Sequence, residues 1–156
     1  MKIIIIILEV LKIQKGKDSE IEISQPILDD LMRTLERLES STDLEGTAIV
    51  SKTGIRIASS EATEVEWDIY SASPATLISL GEKISQGLSQ GELKDVVIKG
   101  TTGYTIILVG DTDNDFMLFT NCKKGYKLGY YFHKIRKAFR EMEPVLKQIQ
   151  TKRVIY

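Results

Sequence analysis

The chain has 156 residues, 42% of them hydrophobic and three of them proline, which is enough for one globular domain with a real core plus an appendage. Net charge is −1, but ten of the 21 Lys and Arg fall in residues 123–156 against two acids there, so that segment carries +8 and the preceding 122 residues −9. The asymmetry suits an acidic partner surface, anionic lipid or nucleic acid near the C-terminus, or simply a solvated helix face. Cys122 is the single cysteine and His133 the single histidine, which excludes an internal disulfide, a zinc-binding thiol cluster and a histidine-rich metal site. A reducing, cytoplasmic setting fits this cysteine usage.

Residues 1–24 read as an N-terminal extension. Ile3 to Leu8 is too short to span a bilayer, and no small-residue cleavage site follows before Lys15-Gly16-Lys17-Asp18. The isoleucines favour a strand, and Ile21 and Ile23 alternate as a second strand would, so the segment is predicted to add a strand or hairpin. A first helix is expected over about Pro26–Ser40, with Ser24 as cap and Leu28, Leu31, Leu35 and Leu38 on its core-facing side.

The stretch LEGTAIVSKTGIRIASS, Leu44 to Ser60, is predicted to form a β-hairpin. Ala48 and Val50 share one face and Thr47, Ile49 and Ser51 the other. Gly54 ends the turn, where it tolerates positive φ. Glu61 to Ser73 is acidic and aperiodic, and its Trp67 reads as a ring folded on the domain edge or a partner anchor. A second helix runs from Ser73-Pro74 to about Leu88 and offers two stripes: Leu77, Leu80, Ile84 and Leu88, expected to cover the sheet, and the flatter Ile78, Gly81 and Ser85, small enough to admit another helix unless Gly81 only relieves crowding against the domain's own sheet.

Three strands follow, Leu93–Lys99, Tyr104–Val109 and Phe116–Asn121, joined by turns short enough to demand antiparallel neighbours. A long final helix is expected to bury Leu128, Tyr131, Ile135, Ala138, Phe139, Met142, Val145 and Ile149, with Pro144 kinking or shortening it. The predicted order, α-β-β-α-β-β-β-α, is an α+β domain with a five-stranded antiparallel sheet over residues 25–150, followed by a basic tail at 151–156.

Motifs of chemistry fail on inspection. Asp111-Thr112-Asp113-Asn114-Asp115 opens like a calcium loop, but its sixth position is Phe116 rather than glycine and its twelfth is Cys122 rather than glutamate. Gly100-Thr101-Thr102-Gly103 joins two strands and lacks a phosphate loop's lysine and following helix. His133, beside Phe132 and Lys134 on a helix, reads as a surface histidine. No catalytic, cofactor-binding or metal-binding residue is assigned, and an enzyme is the least favoured class.

From about Pro26 to Gln150 the chain resembles the roadblock family of dynein light chains, Rag-type GTPase scaffolds and prokaryotic partners of Ras-like GTPases. The carriers are the Leu44–Ser60 hairpin, the small-residue helix from Ser73, the strand Leu93–Lys99 with its glycine turn, and Lys127-Leu128-Gly129-Tyr130-Tyr131. The resemblance implies a roadblock/profilin-like fold and a non-enzymatic, dimeric scaffold or regulator of a small Ras-like GTPase. It implies pairing with itself or a related roadblock-type subunit through Ile78, Gly81 and Ser85 of the second helix and Val96, Val97 and Ile98 of the next strand. The competing reading is a small-ligand sensor with a pocket between sheet and helix. The lysines sit on an amphipathic helix without interleaved aromatics, which argues against nucleic acid.

Overall fold

A computed structural model describes residues 23–60, 69, 72–123 and 127–151. The predicted order is observed: α1 (Gln25–Ser40), β1 (Leu44–Ser51), β2 (Arg56–Ser59), α2 (Ala72–Gly87), β3 (Asp95–Lys99), β4 (Gly103–Val109), β5 (Phe116–Lys123) and α3 (Leu128–Thr151). The predicted strands of residues 1–22, Trp67 and the tail beyond Thr151 lie outside the described residues.

The five strands form one sheet in the order β2-β1-β5-β4-β3, with every pairing antiparallel. β3, β4 and β5 make the expected meander, and the β1–β2 hairpin joins it through β5, with Ala48 opposite Phe119 and Ile49 opposite Leu118. Gly54 closes the hairpin turn at φ 93°, a conformation that suits a residue without a Cβ. Ser51 Oγ accepts the Ile55 N–H at 2.9 Å, and Lys52 donates Nζ to the Gly110 carbonyl at 3.1 Å, tying this turn to the β4–β5 loop.

The sheet has two apolar faces because its central strands alternate Ile, Val, Leu and Phe in both directions. On one face α1 and α3 pack over Ile49, Ile106, Leu108 and Leu118, burying Leu31, Leu35, Tyr131 and Ile135 completely. On the other, α2 packs over Ala48, Val50, Ile107, Val109, Met117 and Phe119. The α1 stripe is Ile27, Leu31, Leu35 and Leu38, with Leu28 only half-buried. Ser24 occupies the cap position without a side-chain cap bond. α2 starts one residue before the expected cap, at Ala72, which leaves Ser73 inside its first turn.

α3 continues through Pro144, whose ring faces solvent, and Leu146 is a core residue absent from the predicted stripe, where Val145 is only half-buried. The end of α1 is pinned by Glu39, which accepts hydrogen bonds from Thr47 Oγ1 of β1 at 2.8 Å and from Ser60 Oγ just past β2.

Candidate interaction surface

The two predicted stripes of α2 largely exchange roles, although Leu77 of the first packs half-buried against the sheet-side core as expected. Ile78 is 2% exposed and Ser85 6%, and both face the sheet, whereas Leu80 (53%), Ile84 (61%) and Leu88 (64%), expected to cover it, face solvent. Ser85 donates Oγ to the Gly91 carbonyl of the loop after α2 at 2.7 Å, which satisfies its hydroxyl where it is buried. Gly81 lies against Leu93. A Cβ built there would stand 2.9 Å from Leu93 Cδ2, so the glycine relieves crowding within the chain.

Leu80, Ile84 and Leu88 recur at four-residue steps and form a line roughly 12 Å long on one side of α2. Helical geometry puts Gly81 at the inner border of that side, and Gly81 rests on Leu93, two residues ahead of β3. The apolar flank of α2 therefore looks toward β3, an edge strand of the sheet. Of the strand residues singled out from the sequence, Val96 is half-buried against the α2-side core and Val97 is half-buried on the opposite face, while Ile98 is 47% exposed. The surface consists of an apolar helix flank, an exposed isoleucine and an open strand edge side by side. Leu80, Ile84 and Leu88 belong to it and were missed because α2 is apolar over more than half its circumference. The signal that points to them is Gly81 read as a residue that relieves crowding within the domain, which turns the small stripe inward.

Charged groups frame this edge. Lys94 Nζ meets Asp111 at 2.9 Å and Glu92 at 3.4 Å, and Thr112 donates to Glu92 at 2.6 Å. The Thr112 hydroxyl, and then Lys94, hold the Glu92 carboxyl below its usual range. Lys94 does the same for Asp111, and Asp111 in turn raises the Lys94 ammonium. Arg136 of α3 lies 4.7 Å from the centre of the Phe132 ring and reaches Asp95 of β3 at 3.3 Å.

A cleft of about 310 Å³ between α3 and the β3–β4 side is lined by Lys94, Arg136 and Arg140 and, in equal number, by Asp95, Asp111 and Glu143. Leu108, Val109 and Phe139 line it too, and two of its ion pairs are made already within the chain. Among the described residues no three His, Cys, Asp or Glu side chains converge as a metal set. Asp111 turns instead to Lys94, and Asn114 Oδ1 accepts the Phe116 N–H at 3.0 Å. His133 is exposed on α3. Cys122 is buried, and burial raises its thiol above the ordinary range. No helix among the described residues is long and apolar enough to cross a membrane.

The same fold occurs in solved structures. MglB of Myxococcus xanthus superposes with a TM-score of 0.73 at 13% identity, over 83% of this chain and 96% of that one. A Roadblock/LC7 domain from Streptomyces avermitilis gives 0.61 at 12% identity, over 80% and 98%. The gliding protein MglB of Thermus thermophilus gives 0.59 at 17% identity, over 86% and 97%. None of the curated proteins matches the chain. The family model for the Roadblock/LC7 domain matches residues 31–120, from the middle of α1 through most of β5, and with more than half its length inside that match the chain belongs to the Roadblock/LC7 family.

Proposed function

We propose that this protein is a non-enzymatic, dimeric scaffold or regulator that binds a small Ras-like GTPase in the cytoplasm. The observation that carries the dimer is the α2–β3 surface: Leu80, Ile84, Leu88 and Ile98 expose apolar area beside an unpaired strand edge, and both features are costly to leave in water. Pairing two β3 edges about a two-fold axis normal to the sheet satisfies both, because it continues the sheet and sets the two α2 flanks against each other. The GTPase partner is what roadblock resemblance implies. The chain's own contribution is a rigid composite surface rather than a reacting group, since Arg56, on the outer strand β2, is half-buried and not extended as a finger.

Sedimentation of the full chain should give a dimer in the micromolar range. Titration of that dimer against Ras-like GTPases from the same cell, loaded with diphosphate or with a non-hydrolysable triphosphate, should show binding that differs between the two states. Equal affinity for both would leave a scaffold without nucleotide control. No binding to any of them would overturn the GTPase assignment.

A further inference from the structure

α3 turns Tyr131, Ile135, Met142 and Ile149 onto the core, so the residues half a turn away form the outermost ridge of that face. With about 3.6 residues per turn the ridge is His133, Lys137, Arg140, Pro144 and Lys147, all exposed, over roughly 21 Å. Among the described residues Lys137, Arg140 and Lys147 form no ion pair, nor do Lys127 and Lys134 on one flank. Glu141 and Glu143 stand to either side of the ridge and not on it. A merely solvated helix face mixes its signs through i,i+4 pairs, whereas this ridge carries one sign, and Lys152 and Arg153 follow in the sequence.

We propose that the α3 ridge seats this protein on an anionic lipid bilayer, held by the field of the headgroups and without insertion. A protein partner is gripped by an aromatic or aliphatic anchor sunk in a pocket. The ridge exposes no such anchor, because Tyr131, Ile135, Phe139 and Met142 are taken by the core. Single-stranded nucleic acid calls for rings stacked between the cations, and those are missing for the same reason. A bilayer asks only for a row of cations on a surface that can come close to it, each one improving partitioning about fivefold.

The rest of the chain fixes the orientation. α1, the other helix of this layer, exposes Asp29, Asp30 and Glu36, which outnumber its Arg33 and Arg37. α1 packs over β1 and β2 and α3 over β4, so repulsion of α1 tilts the molecule to bring α3 nearest the lipid. The apolar flank of α2 lies in the layer on the opposite face of the sheet and stays open to its own partners while α3 rests on the bilayer.

Flotation of the full chain tests this. Vesicles of phosphatidylserine and phosphatidylcholine in equal parts should carry it at low salt, and vesicles of phosphatidylcholine alone should not. High salt should release it, because the attraction is screened. Combining Lys137→Gln, Arg140→Gln and Lys147→Gln should weaken partitioning about a hundredfold, whereas Arg33→Gln with Arg37→Gln on α1 should change it less than about threefold. An unchanged partition in the triple variant, or an equal loss in the α1 variant, would overturn the ridge assignment. Competition by soluble glycerophosphoserine beyond its effect on ionic strength would reveal a discrete headgroup pocket and overturn the surface reading. Failure to float at low salt would overturn the proposal outright and leave the ridge to an acidic protein.

Discussion

Glu39 does work that its half-exposed position on α1 conceals. Its carboxylate accepts hydrogen bonds from the hydroxyls of Thr47 and Ser60, and Thr47 is completely buried, so removing the acceptor leaves a donor stranded in the core. Glu39→Ala should therefore cost about 1–3 kcal/mol in urea unfolding, whereas Glu39→Gln, which keeps a carbonyl acceptor, should cost less than half of that. Equal losses in the two variants would mean that the charge rather than the hydrogen bonds holds the helix end. Nothing in the sequence pairs Glu39 with Thr47, because their contact depends on how the α1–β1 connection folds back. Local chemistry was more legible. The four-residue turn pattern puts Gly54 where a positive φ is tolerated, and strand alternation alone puts Ala48 and Val50 on a shared face.

At the scale of elements, α2 is where composition misleads. Its two stripes both contain large aliphatic residues, so periodicity found a helix but could not choose the buried side. In the fold, Ile78 is buried in the core between α2 and the sheet, and Gly81 lies against the Leu93 side chain ahead of β3. Ile78→Ala should lower stability by about 2–4 kcal/mol. Ile84→Lys should shift stability of the separated monomer by no more than about 0.5 kcal/mol while abolishing the dimer. Urea unfolding, with sedimentation to establish the oligomeric state, separates the two, and a monomer destabilised as much by Ile84→Lys as by Ile78→Ala would reverse the assignment of stripes. α1 and α3 gave no such ambiguity, since each has a polar side rich in charge. Even there the single residues drift, as Ile27 and Leu146 show by taking the buried positions beside Leu28 and Val145.

At the scale of the whole molecule, the order of elements was legible from turn signals and periodicity. The way the hairpin joins the meander was not, because strand order across a sheet is a long-range property. That joint has a kinetic consequence. β1 lies at residues 44–51 and its central partner β5 at 116–123, so the middle of the sheet is closed by contacts some seventy residues apart, as between Ala48 and Phe119. Closing so long a loop costs entropy before any of the seam's burial is recovered, which slows folding. During synthesis the β1–β2 hairpin must wait, with one side unpaired, until nearly four fifths of the chain has been made. Stalled nascent chains ending before β5 should remain protease-sensitive in the hairpin, and chains extended past α3 should become resistant. Early resistance would mean that the hairpin and α1 fold as a unit without the strand between them and the meander.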